Sequence, residues 1–139
     1  MKFYANTSGA HLTAFTSGAS AWTGATAATL TRVTSYSSAQ FYGVAAYDGN
    51  TGYDGQTTWT CNLLLQFSTV NVVLNRTYMD SYGATEKKVI AMHELGHAMG
   101  LDHSTASGYP VMASSAGNSY NHGTTTLKSD GITSTNTRY

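Results

Sequence analysis

The sequence predicts a mixed α+β fold made of one domain over residues 1–139. Short segments rich in β-branched and aromatic residues dominate the first part of the chain, whereas a helical apolar pattern and an irregular tail follow them. In addition, the chain has 139 residues, of which 41% are hydrophobic. This is enough to form a single hydrophobic core. We therefore expect a twisted mixed sheet that packs against two main helices.

The first part of the chain is predicted to contain several strands and one helix. Residues 2–5 form a short opening strand. Apolar residues at spacings of three and four then mark one face of a helix over residues 11–24: Leu12, Phe15, Ala19 and Trp22. Runs of β-branched and aromatic residues predict further strands at residues 29–34, 40–47, 57–61 and 70–75. Two Asp-Gly pairs indicate a loop at residues 47–55.

A helix over residues 85–99 is the main prediction for the second part. Thr85 is expected to be its N-cap, with Glu86 favourably placed in the first turn. Gly100 is expected to end the helix in a left-handed conformation, because glycine has no Cβ. Residues 104–123 have the composition of a loop, and residues 126–139 are expected to include a short C-terminal helix.

Charge and composition exclude several classes of partner. The formal net charge is zero and 10% of the residues are charged, so there is no basic field to hold nucleic acid or an anionic membrane. No segment approaches the roughly 20 apolar residues of a membrane span. Low charge and abundant hydroxyl groups are typical of extracellular proteins. Because the first residues lack the apolar run of a signal peptide, we expect a mature segment of a secreted protein. We also expect a monomer.

Three histidines are candidate metal ligands. His93 and His97 are four residues apart, so their rings share one helical face and can bind the same ion. His103 can swing back towards that ion after the chain reverses at Gly100. Zinc binds neutral imidazole nitrogens at about 2.0–2.1 Å, and a catalytic zinc has three protein ligands and an open position for water. The spacing therefore predicts a catalytic zinc site.

Glu94 is the candidate general base. It follows the first histidine and is rotated from it by about 100° around the helix, which makes it a poor ligand but places it near a zinc-bound water. Zinc lowers the pKa of such a water to about 7, and a neighbouring carboxylate can take the proton. An adventitious histidine cluster or a structural zinc site is the alternative interpretation. The spacing disfavours the first of these, and the additional glutamate disfavours the second.

The string HELGHAMGLDH at residues 93–103 resembles the zinc-binding consensus of the metzincin metalloendopeptidases. The serine directly after the third histidine, Ser104, resembles the sequence of the matrixin branch at this position. Residues 109–113 are similar to the methionine-containing turn of the family. The resemblance implies a twisted sheet with an active-site helix and a C-terminal helix. It also implies that Met112 forms a hydrophobic floor beneath the three imidazoles without binding the metal.

The resemblance further implies a zinc-dependent endopeptidase with Glu94 as general base. Its peptide or protein substrate is expected to lie extended along an edge strand, which we place at residues 57–61. Two alternatives stay open, a zinc-binding module without hydrolase activity and a zinc hydrolase that acts on a non-peptide amide. The intact Glu94 disfavours the first, and the methionine turn disfavours the second through resemblance alone.

Several side chains outside the motif carry further expectations. In related proteins the loop before the edge strand binds structural ions, and Asp48 and Asp54 are candidate ligands for Ca²⁺, which prefers oxygen. Ordinary turn roles for these aspartates are an equal alternative, and the lack of a nearby histidine argues against a second zinc. His11 and His122 are expected to be solvated. Cys61 is expected to be a small buried hydrophobe.

Overall fold

The computed structural model describes residues 1–61 and 67–139. Within this part of the chain a single mixed sheet has five strands: β1 Lys2–Asn6, β2 Thr31–Arg32, β3 Phe41–Ala46, β4 Gly55–Cys61 and β5 Phe67–Asn75. Their order is β2-β1-β3-β5-β4, and all neighbours are parallel except β4, which runs antiparallel to β5 at the edge. The predicted α+β fold with a mixed sheet is confirmed.

The described residues form five helices and one short 3-10 turn. The helices are α1 Gly9–Ala25, α2 Arg76–Met79, α3 Ala84–Ala98, α4 Ala116–Asn121 and α5 Ser129–Arg138, and the turn is Tyr36–Ser38. The predicted helix over residues 11–24 is thus slightly longer at both ends, and the expected C-terminal helix is α5. No helix in the described ranges combines the length and apolarity needed to cross a bilayer.

The core joins α1 and α3 to one face of the sheet. The indole of Trp22 is fully buried, and its Nε1 donates a hydrogen bond of 2.8 Å to the Met92 carbonyl, which ties α1 to α3. The two helices approach closely at Gly18, where an added Cβ would lie 3.2 Å from the Met92 nitrogen and from the Leu95 side chain. Helix α3 also contacts β4 and β5, so the sheet and α1 together hold it in place.

The end of α3 follows the prediction for Gly100, which has a φ of +82°. The Gly100 N–H donates to the His97 carbonyl at 2.8 Å, and the Leu101 N–H donates to the Gly96 carbonyl at 3.0 Å. This is the Schellman arrangement, in which glycine is the residue that takes the left-handed conformation at little cost. It turns the chain back over the last turn of α3.

Two local predictions were wrong. The N-cap of α3 is Gly83 rather than Thr85, which already lies in the first turn beside Glu86. Residues 104–123 were expected to form a loop, yet they include α4. Ser115 caps that helix by accepting a hydrogen bond from the Asn118 N–H at 3.2 Å, and buried Ser119 donates to the Pro110 carbonyl at 2.8 Å. Because α4 is short and polar, it has no apolar periodicity that the sequence could reveal.

Candidate metal centre and cleft

Three imidazole rings converge in the structure. His93 and His97 lie on successive turns of α3, and the reversal at Gly100 brings His103 to the same place. The Nε2 atom of His97 lies 3.0 Å from Nε2 of His93 and 3.2 Å from Nε2 of His103. The potential ligand atoms of all three residues lie within 4.8 Å of one another. The histidines of the sequence motif therefore form one cluster.

Hydrogen bonds on the far sides of two rings determine which nitrogens face the centre. His93 Nδ1 lies 2.7 Å from the Val111 carbonyl oxygen, and His97 Nδ1 lies 2.8 Å from that of Leu101. A carbonyl oxygen accepts only, so we assign the proton of each neutral ring to Nδ1 and a lone pair to Nε2. Two Nε2 lone pairs 3.0 Å apart repel each other unless a cation lies between them.

The donor set fits zinc. Two nitrogens bound at 2.0–2.1 Å to a tetrahedral ion lie about 3.3–3.4 Å apart, close to the 3.0 and 3.2 Å found between the Nε2 atoms. Burial lowers the pKa of His93 to about 4, although its bond with the Val111 carbonyl acts in the opposite direction. Burial also lowers the pKa of His97. These two rings therefore favour the neutral form, which is the form that binds a metal.

Glu94 lies beside this cluster and is 4% exposed. Its Oε2 accepts a hydrogen bond of 2.7 Å from the hydroxyl of Thr57 on β4. Burial raises the pKa of Glu94 to about 7, the Thr57 hydroxyl opposes this shift, and the charge of Asp54 adds to it. A carboxyl group with a pKa near the working pH is suited to both accepting and donating a proton. The sequence pointed to Glu94 but did not reveal its partner Thr57.

A cleft of about 530 Å³ opens over the cluster. One wall is β4, which contributes Gly55, Gln56, Thr57 and Trp59, and the three histidines also line the cleft. The Trp59 ring centroid lies 6.3 Å from that of His97. Since β4 pairs only with β5 in the described sheet, its outer edge is the edge of the sheet. The segment predicted as an edge strand therefore borders the cleft.

Met112 packs against the helix that carries two of the histidines. It is 2% exposed, and a Cβ added to Gly96 would lie 2.3 Å from its Sδ. The Met112 carbonyl accepts a hydrogen bond of 2.7 Å from the N–H of Ser104, the residue after His103. The methionine turn is thus held both by α3 and by the segment that supplies the third imidazole.

The structure does not support the calcium expectation for Asp48 and Asp54. The Asn75 amide occupies the centre of their loop: its Nδ2 donates to the Gly49 carbonyl at 3.0 Å, to Thr51 Oγ1 at 3.0 Å and to the Tyr53 carbonyl at 3.3 Å. Two loop carbonyls and one hydroxyl that could have assisted the aspartates thus already accept hydrogen bonds from an amide. Asp48 is exposed. The Asp54 carboxylate accepts a hydrogen bond of 2.7 Å from the Tyr82 hydroxyl.

We expect Asn75→Ala to lower the free energy of unfolding by about 1–2 kcal/mol, because the loop oxygens lose their donors but are near enough to the surface to bind water instead. The substitution also removes the acceptor for the Thr77 N–H at the start of α2. Urea denaturation of both proteins measures the loss. Added Ca²⁺ is expected to leave the unfolding midpoint of the wild type unchanged, and a clear increase would contradict the role given to Asn75.

The remaining expectations have mixed outcomes. His11 was expected to be solvated, which is wrong: it is 8% exposed, and its Nε2 lies 3.2 Å from the Asp80 carboxylate. It shares the buried face of α1, which begins earlier than predicted. His122 is exposed as expected, and its ring stacks on that of Tyr109 with centroids 3.7 Å apart. The side chain of Cys61 lies outside the described residues.

The chain was compared with models of known protein families. The model of the family described as matrixin matches residues 27–139, which is more than half of the chain. The matched range includes the three histidines, Glu94 and Met112. A search among proteins with curated annotation gave no match.

Proposed function

This chain belongs to the matrixin family, and from that premise we propose that it is a zinc-dependent endopeptidase with Glu94 as its general base. Family membership implies a zinc metallopeptidase. The observation that carries the finer proposal is the convergence of three Nε2 atoms beside a buried carboxylate, in a cleft bordered by an edge strand. Neither a pure zinc-binding module nor a structural zinc site needs that carboxylate.

Zinc held by His93, His97 and His103 would supply a Lewis acid that polarises the scissile carbonyl and makes water more acidic. The carboxylate of Glu94 takes the proton of the attacking water. Since Oε2 already accepts a hydrogen bond from the Thr57 hydroxyl, we assign this proton to Oε1. The water oxygen bonds to the scissile carbonyl carbon, and the C–N bond breaks as Glu94 returns the proton to the nitrogen of the leaving amine, which restores the carboxylate.

The substrate in this proposal is an extended peptide segment. The outer edge of β4 offers main-chain N–H and C=O groups to a further strand, and a peptide that pairs there lies across the histidine cluster. The cleft opens between that edge and the three imidazoles, which leaves room for a main chain. On the basis of its low-charge, hydroxyl-rich composition we also place the protein outside the cell. That it acts as a monomer is a separate expectation.

Removal of the metal tests the proposal. We expect the protein to bind about one zinc per chain and to cleave a library of unstructured peptides. 1,10-Phenanthroline should abolish cleavage, and added zinc should restore it. His103→Ala should lose zinc and activity together, whereas His122→Ala, an exposed histidine outside the cluster, should retain both. Zinc binding without cleavage would indicate a binding module, and cleavage of non-peptide amides alone would indicate a different hydrolase.

A further inference from the structure

We propose that two residues of β4, Gly55 and Thr57, are positioning residues that hold the Glu94 carboxylate in one orientation. This inference rests on the proposed function, since it assigns a purpose to the orientation of the general base. Strand β4 would then have two roles, pairing with the substrate through its main chain and orienting Glu94 through the Thr57 hydroxyl and the close approach of the Gly55 backbone. Neither residue belongs to the metal-binding motif.

The Thr57 hydroxyl contacts both the side-chain carboxylate and the backbone carbonyl of Glu94. Its Oγ1 lies 2.7 Å from the carboxylate Oε2 and 2.9 Å from the backbone carbonyl oxygen of the same residue. A hydroxyl has one proton, and the charged carboxylate is the stronger acceptor. Thr57 is 8% exposed, and its β-branched side chain has a stiff χ1 angle, so the donor is held in place. The carboxylate is therefore bound through one defined oxygen.

Gly55 restricts the position of the same carboxylate, because the Gly55 backbone lies too close to Glu94 for a side chain to fit between them. A Cβ at this position would lie 2.7 Å from Cγ, 3.0 Å from Cδ and 2.9 Å from Oε1 of Glu94. The backbone of β4 therefore passes directly over the Glu94 side chain, and any larger residue would displace it. The φ angle of Gly55 is not in the left-handed region, so the requirement for glycine here is steric.

The strand geometry explains why both contacts reach one side chain. Residues two apart in a strand point to the same face, and Gly55 and Thr57 both face α3. The register places Gly55 opposite Leu74 and Thr57 opposite Val72 on β5, two residues that are fully buried. A slip of the strand would break that packing. The positions of the two contacts are therefore fixed by the core of the sheet.

Kinetics of matched variants test the proposal. Thr57→Val keeps the shape of the side chain but removes the donor, and we expect kcat to fall by about 10- to 100-fold, with KM and zinc content unchanged. Thr57→Ser restores a hydroxyl and should recover most of the activity. Gly55→Ala should lower kcat in the same way. Thr31→Val on β2, at the opposite edge of the sheet, is the control. An unchanged kcat in Thr57→Val would overturn the proposal.

A second measurement does not depend on peptidase activity. The chain has two glutamates, Glu86 and Glu94, so selective ¹³C labelling of the glutamate carboxyl carbon gives two NMR signals. Glu94→Gln assigns them by removing one signal. Thr57→Val should shift the Glu94 signal and leave that of Glu86 in place. If the wild type cleaves no peptide but this shift occurs, the endopeptidase proposal fails and the contact stands. If the Glu94 signal stays in place, the positioning role is wrong.

Discussion

Replacement of Glu94 by glutamine is expected to lower kcat by about 10²–10⁴-fold, the range that general acid–base catalysis contributes. Glutamine has nearly the same shape, but its amide cannot take a proton from water or return it to an amine. The side chain is buried beside the histidine cluster without being a member of it, so zinc content should not change. Steady-state cleavage of a fluorogenic peptide together with metal analysis measures both quantities.

The chain contains its own control for this experiment. Glu86 is the other glutamate and lies in the first turn of the same helix, away from the cleft. Glu86→Gln makes the identical chemical change, and we expect its kcat to stay within about twofold of the wild type. Undiminished turnover in Glu94→Gln with zinc retained would refute the role of Glu94. Equal losses in both variants would indicate a general effect of charge on α3.

The parts of the site that lie close together in sequence could be predicted from it. Helical periodicity alone brings His93 and His97 to one face, and a glycine at position 100 is the residue type that permits the chain to reverse. Both features are local, since they depend on fewer than about a dozen residues. The structure shows both features: Gly100 has a left-handed conformation, and the three histidines form one cluster.

Contacts between distant segments could not be predicted in this way. The Thr57 hydroxyl meets a carboxylate 37 positions later in the chain, and only the register of β4 on β5 and the packing of α3 against β4 place them together. The same holds for the loop at residues 47–55. Its Asp-Gly pairs predicted a turn-rich segment, but Asn75 on a different element determines what occupies its centre. The two aspartates of this loop suggested a calcium site, whereas in the folded protein the Asn75 amide occupies the centre of the loop.

Gly96→Ala is expected to destabilise the protein by about 1–3 kcal/mol, the usual cost of overpacking a core. The new Cβ would lie 2.3 Å from Met112 Sδ and 3.1 Å from Trp22 Cζ2, so the buried methionine must move. This cost exceeds the roughly 0.5–1 kcal/mol that alanine gains over glycine inside a helix. Because the Met112 carbonyl also accepts the hydrogen bond from Ser104, the residue after His103, zinc affinity should fall as well. Thermal unfolding and a zinc titration measure the two effects.

A double-mutant cycle separates this clash from other effects of the substitution. Met112→Ala alone should cost about 2–5 kcal/mol by leaving a cavity, but it also removes the sulfur that lies 2.3 Å from the new methyl group, so that the 3.1 Å contact with Trp22 remains. In that background Gly96→Ala is expected to cost much less than in the wild type, because the clash with the sulfur is gone and the helical gain remains. Gly24→Ala near the end of α1, where an added Cβ has no neighbour within 4 Å, shows the helical gain alone. Additive effects of the two substitutions would mean that Gly96 is not required for the packing of Met112 against α3.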